Sequence, residues 1–293
     1  MTALMDLRID AHQHFWRIER GDYGWLTPET PALFRDFEPR DLLPLLQRNG
    51  IAGTILVQAA PTEAETAFLL GLAAEEHRVL GVVGWTGLTG PRAADHIAVL
   101  AREPLLVGLR PMVQDIAEDD WLLRPELGPA FQAMAELGLV FDALVLPRHL
   151  RPLEHVVASH PALSVVIDHG AKPAIRDRTW QPWADDIARL ARYPNTRCKI
   201  SGLATEAAPD WRPDDLRPYV EHAREHFGAD RLLWGSDWPV VTGAASYDRW
   251  CEVILQLTQG WSEAERAALL GGTARDTYLT RRGRAPEGGR RSC

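Results

Sequence analysis

Cysteine is scarce in this chain and lysine scarcer still. The three cysteines, Cys198, Cys251 and Cys293, are odd in number and share no paired spacing. That excludes a disulfide framework and a cysteine zinc site, and it fits a reducing compartment. No apolar run approaches the ~20 residues that cross a bilayer. The N-terminus, MTALMDLRIDAHQHF, carries acids and histidines where a secretory leader would carry an apolar core, so a cytoplasmic protein is expected. There is no basic excess either. A net charge of -8 attracts neither nucleic acid nor an anionic membrane, which leaves a small molecule as the expected partner. A homo-oligomer is compatible with this composition.

What is present is an ordinary globular chain of 293 residues, 46% hydrophobic and 25% charged. Among its 32 basic residues only Lys172 and Lys199 are lysine. Both fall at predicted strand ends beside other polar residues. A compact ammonium with three donors, which a planar guanidinium does not replace, is the reading that gives them a role.

Eight short runs rich in Val, Ile and Leu recur: RIDAHQHF, GTILVQAA, VLGVVGWTGL, LLVGLRPMV, LVFDALVL, SVVIDHGA, TRCKISGL and RLLWGSDWPV. Runs apolar on both faces suit parallel strands buried between layers. Amphipathic helical stretches separate them, several ended by Gly or Pro. Eightfold alternation predicts a single (β/α)8 TIM-type barrel. A doubly wound open sheet is disfavoured, because no glycine-rich dinucleotide loop follows the first strand. The barrel is expected over residues 1–282, with a disordered tail at 283–293. Two long connections, one after the first strand and one after the fourth, carry Trp16, Tyr23, Trp25 and Trp121 and should overlie the C-terminal face.

The chemistry concentrates at four residues. In DAHQHFW, His12 and His14 lie two apart and should share one face of the first strand. His169 ends SVVIDH and is expected to share a face with Val165 and Ile167. Asp237 ends RLLWGSD and should share one with Leu233 and Gly235. Strands one and eight are neighbours in a closed barrel, so the four should converge. Three imidazoles and one carboxylate make a plausible set for one divalent metal, zinc first, with an open position for water. The same groups also suit a metal-free site that holds a carbonyl by hydrogen bonds while Asp237 activates water. The fourth strand offers Arg110 where a two-metal site would need a bridging group. Around the four, Trp25, Gln58, Trp85, Arg110, Lys172, Ser201 and Trp238 occupy strand ends or loops where a polyhydroxylated substrate would lie. Lys199 is expected to pair with an acid of the barrel interior, Asp142 being the candidate, and Lys172 to lie nearer solvent and substrate.

The motifs DAHQHFW, GDYGWLTPE, ILVQA, GLRPMVQD, ELGLVFDALV, VIDHGAKP, CKISGL and RLLWGSDWPV occur in order from Arg8 to Tyr278. In them the chain resembles the amidohydrolase superfamily, amidohydrolase 2 branch, in the group that includes L-fuconolactonase and L-rhamnono-lactonase. The resemblance implies a distorted barrel, hydrolysis of a sugar-acid lactone, and a centre of His12, His14, His169 and Asp237. Members divide over whether they need a metal. Gly170 and Gly272-Thr273 depart from the common pattern, and Gly170, beside His169, puts the substrate's identity in doubt. A lactonase or decarboxylase acting on an anionic pyrone or dicarboxylate is the alternative within the superfamily. A sugar-acid binding protein on a retired barrel is the reading outside catalysis.

Overall fold

The computed structural model describes residues 8–280; the expected disordered tail at 283–293 lies outside the described residues. Eight parallel strands run in sequence order: β1 (Arg8–Gln13), β2 (Ile51–Val57), β3 (Val79–Gly84), β4 (Leu106–Leu109), β5 (Val140–Ala143), β6 (Val165–Ile167), β7 (Thr196–Ile200) and β8 (Leu232–Trp234). Helices α1 (Pro39–Arg48), α2 (Glu63–Glu75), α3 (Ala93–Leu100), α4 (Gly128–Glu136), α5 (Leu150–Ser159) and α6 (Trp183–Leu190) return the chain between them. The short α7 (Leu203–Glu206) and the long α8 (Pro213–Phe227) connect β7 to β8, and α9 (Tyr247–Leu257) and α10 (Glu263–Ala267) follow. This is the expected (β/α)8 barrel. No helix among the described residues is long and apolar enough to cross a membrane.

Hydroxyls placed one residue ahead of a helix start several of these elements. Thr62 accepts the amide N–H of Glu65, Ser246 that of Arg249, and Ser262 that of Glu265, each satisfying a donor left open in the first turn. Beyond α10 the chain winds into wider π-type turns through Gly271-Gly272.

Two apolar layers hold the barrel. Inside, Ile9, Ala11, Ile55, Val57, Val83, Val107, Val140, Val166 and Leu233 pack together, joined by Ala274 and Tyr278 from the last helical turns. Outside, alternate strand residues such as Val165, Ile167, Phe141 and Leu56 meet the helices. The barrel closes not by a long β1–β8 ladder but at its mouth. There the Asp237 N–H donates to the His12 carbonyl (2.8 Å) and the His14 N–H to the Trp238 carbonyl (2.7 Å). Gly235 makes this approach feasible, since a Cβ there would stand 2.6 Å from that of His12.

Candidate active site

His12 in β1 and His14, one residue beyond its end, reach the interior through an irregularity. Ala11 belongs to the inner apolar layer and His12 to the polar centre above it, so two successive residues face inward. The β1–β2 register shifts between Asp10 and Gln13, as a bulge does when it re-aims a side chain. The alternation expected for β6 ends early. Val165 and Ile167 face the outer helices, while Val166 faces inward. His169 therefore does not continue their row. It enters the centre through a left-handed turn (φ 54°), and Asp237 does the same after β8 (φ 58°). Left-handed backbone at a non-glycine residue costs about 1–3 kcal/mol, retained where the surroundings hold it in place.

The four side chains meet as the sequence implies. Asp237 Oδ1 lies 3.3 Å from His14 Nε2 and 3.7 Å from His12 Nε2, and the His12 and His169 ring centroids are 4.5 Å apart. Each imidazole is also held from behind. His14 Nδ1 donates to the Val57 carbonyl at 2.7 Å, His12 Nδ1 is 3.5 Å from Asp168 Oδ1, and His169 Nδ1 is 2.9 Å from Ser201 Oγ. Gly202 leaves room for this last ring, because a Cβ there would come within 2.6 Å of His169 Nδ1.

Beneath the imidazoles runs a buried ionic network. Lys199 Nζ contacts Asp142 Oδ2 (2.5 Å), Asp168 Oδ1 (2.9 Å) and His12 Nδ1 (3.2 Å), and the Tyr278 hydroxyl donates to Asp142 (2.8 Å). The expected Lys199–Asp142 pair is thus present, with Asp168 as a second partner that the sequence reading passed over. Arg110 reaches the same group, 3.3 Å from Asp168 Oδ2 and 3.4 Å from His12 Nε2.

Burial and charge set the protonation states. Burial pulls His169 down to about 4 against the opposing pull of Asp237, so it is neutral at neutral pH. Burial and then the Lys199 ammonium hold His12 well below the usual imidazole range. Burial alone would raise Asp237, but the surrounding imidazoles, His169 foremost, outweigh it and hold the carboxyl well below its ordinary value. Burial lifts Asp142 to about 6 against the pull of Lys199. A neutral His169 beside an ionised Asp237 gives a proton acceptor ready at the barrel mouth.

Above the centre opens a cavity of about 300 Å³. Its lining includes His14, His169, Asp237, Arg110, Lys172 and Trp25, all anticipated from the sequence. The structure places the other anticipated residues differently. Gln58 is buried with its amide donating to the Arg110 carbonyl (2.6 Å), and Ser201 is buried behind His169. Trp238 packs against Phe37 and Phe15, and Trp85 is half-buried; none of these four lines the cavity. Conversely, Met112, Gln114 and Asp115 line it and were not singled out. They follow Arg110 directly in GLRPMVQD and open the long connection after β4, which was the available signal. Trp25 is placed by a relay. Its Nε1 donates to the Ala59 carbonyl (2.8 Å), and the buried Glu65 carboxylate fixes that loop by accepting the N–H groups of Ala59 and Ala60.

Lys172 stands apart from the buried network. It is partly exposed, with its nearest carboxylate, Glu206, 4.0 Å away. A pair this open contributes little stability, on the order of 0–1 kcal/mol. Lys172→Met is therefore expected to raise KM severalfold with the melting temperature nearly unchanged. A lowered melting temperature with KM intact would place Lys172 among the structural residues.

One ligand atom each of His12, His169 and Asp237 lies within 4.8 Å of the others. His14 Nδ1 carries the proton given to Val57, so that ring directs a bare Nε2 at the Asp237 carboxylate, 3.3 Å away. Lone pairs facing a carboxylate repel unless a proton or a cation lies between them. The donor set therefore fits a divalent cation.

A family model described as Amidohydrolase matches residues 9–279. The L-fucono-1,5-lactonase of Burkholderia ambifaria is 45% identical over 282 residues, covering 94% of this chain and 96% of that protein. The L-fucono-1,5-lactonase of Burkholderia multivorans is 40% identical over 294 residues, covering 93% and 96%. Among solved structures, an amidohydrolase from Burkholderia multivorans with bound Zn superposes with a TM-score of 0.88 at 38% identity, over 93% of this chain and 99% of that one.

Proposed function

Because this chain belongs to the amidohydrolase family, we propose that it opens a sugar-acid lactone such as L-fuconolactone, with water attacking the lactone carbonyl and Asp237 as general base. The observation that carries the reading is Asp237 itself. It is ionised, held in a left-handed turn at the cavity floor, and contacted by imidazoles that leave its carboxylate facing the substrate space. Asp237 accepts the water's proton as the oxygen bonds to the carbonyl carbon. Its low resting basicity is compatible with this role, since the attacking water becomes strongly acidic as that bond forms. The carbonyl oxygen gains charge facing Arg110, whose guanidinium lines the cavity. Asp237 then returns the proton to the ring oxygen as the C–O bond breaks.

His12, His169 and Asp237, with His14 beside them, would hold one Zn²⁺, which when bound supplies Lewis-acid stabilisation at the carbonyl oxygen. Elemental analysis should find about one tightly held equivalent at this site, lost in Asp237→Ala.

The cavity favours a neutral polyhydroxylated substrate over a dianion. Arg110 is engaged with Asp168 and with the Gln58 carbonyl, Lys172 leans toward Glu206, and Asp115 and Asp237 add negative charge. Gln114 Oε1 is buried without a hydrogen-bond partner, an acceptor suited to a substrate hydroxyl. The test is a pH-stat panel of neutral aldonolactones of both ring sizes against anionic pyrone dicarboxylates. The largest kcat/KM is expected among the neutral lactones. A preference for the dianions would overturn the assignment, and saturable lactone binding without turnover would favour a binding protein.

A further inference from the structure

Away from the barrel mouth, α8 carries a second group of metal-type ligands. His222, Glu225 and His226 each bring one ligand atom within 4.8 Å of the other two. Their spacing of three and four residues puts them on one face of the helix. A second observation concerns the state of His222. Its Nε2 lies 2.9 Å from the Ala184 carbonyl of α6, which can only accept, so Nε2 carries the proton and Nδ1 keeps the lone pair. A backbone carbonyl that fixes the protonated nitrogen and leaves the other bare is how metal-ligating histidines are usually set. The ring is held in that pose by Trp180 and Trp183, with centroids at 5.1 and 5.4 Å, and the His226 ring stands edge-on at 4.4 Å.

We propose that His222, His226 and Glu225 form a surface site for one divalent transition-metal ion of the imidazole-preferring class, Zn²⁺, Ni²⁺ or Cu²⁺, separate from the catalytic centre. His222 is the fixed ligand. Glu225 is exposed, and small rotations of it and of His226 bring the ligand atoms to the ~2.0–2.2 Å shell that such ions take. Three protein ligands leave the remaining positions to water. Because His222 is keyed to Ala184 and to the tryptophans before and within α6, an ion here braces α8 against α6, and its binding to the folded chain alone raises stability.

The test uses the full-length chain and His226→Gln, with Zn²⁺ and Cu²⁺ as probes. By equilibrium dialysis, wild type should take up one exchangeable Zn²⁺ equivalent more than His226→Gln. The Cu²⁺ paramagnetic spectrum should show two imidazole nitrogens in wild type and lose one in the variant. With the catalytic centre already filled by its own equivalent, added Zn²⁺ should raise the melting temperature of wild type but not of the variant, while lactone turnover stays the same in both. A second variant, Glu225→Gln, should keep the two-nitrogen spectrum and bind at least roughly tenfold more weakly, the lower bound for losing even an outer-shell partner. Equal stoichiometry in wild type and His226→Gln, or a Cu²⁺ spectrum unchanged between them, would overturn the proposal.

Discussion

Asp237→Asn is expected to lower kcat by on the order of 10²–10⁴-fold, the contribution typical of a positioned general base, while KM and the melting temperature stay near wild type. The amide preserves what the carboxylate does structurally. Its NH2 can donate to His14 Nε2 across the 3.3 Å contact, and the backbone N–H of residue 237 still bonds to the His12 carbonyl. Asparagine also adopts the left-handed conformation at φ 58° as readily as aspartate, so no new backbone strain enters. Alanine would tolerate that backbone less well and would mix a folding defect into the kinetics. What the amide cannot do is accept the water's proton. If the variant kept more than about a tenth of wild-type turnover at saturating lactone, a loss far below that range, Asp237 would not be the base.

The largest stability effect is expected from Lys199→Met. Lys199 and both of its carboxylate partners, Asp142 and Asp168, have no solvent exposure. Removing the ammonium leaves two buried acids without their shared counter-charge, a loss of about 3–5 kcal/mol for a broken buried pair. For a chain of this size that corresponds to a fall in melting temperature on the order of 10 °C. Methionine fills most of the volume, so a cavity contributes little. Adding Asp142→Asn to the same chain should recover part of the loss, because one of the stranded charges is then gone. Thermal melts of the three chains decide it. A Lys199→Met protein that melts with wild type would show that the buried network is held by Arg110 and Tyr278 alone.

Periodicity gave the barrel and its strand count because fully buried parallel strands leave a strong apolar signature. It also placed His12 and His14 together, and the eightfold closure brought them to Asp237. The route of His169 was not legible. Val165 and Ile167 face the helices, and only a left-handed turn after β6 brings the histidine round, a backbone feature that no residue pattern in VIDHG announces. Asp168 was hidden by its neighbour: an acid next to a candidate site histidine reads as a loop residue, whereas it proves to be the second anchor of Lys199. Gln114 and Asp115 escaped because loop residues have no period by which to assign a direction. Gln58, Ser201 and Trp238 erred the other way. Strand ends do point toward the mouth, but inner residues crowded by large neighbours are covered before they reach the cavity.

The bonds that close the barrel belong to the residues that would do its chemistry. His12 and Asp237 are linked through their backbones at the seam between the first and last strands, 225 positions apart in sequence (237 − 12). A contact so distant along the chain carries a high loop-closure cost and forms late in folding. During synthesis, the first strand must wait for nearly the whole polypeptide before its histidines meet their carboxylate. A partly made or truncated chain ending before β8 holds the three imidazoles of the centre and lacks Asp237, the proposed base, so it is expected not to turn over substrate however well its remaining strands are paired. Turnover thus reports completion of the circle, and hydrolysis regained during refolding would time the docking of β8 against β1.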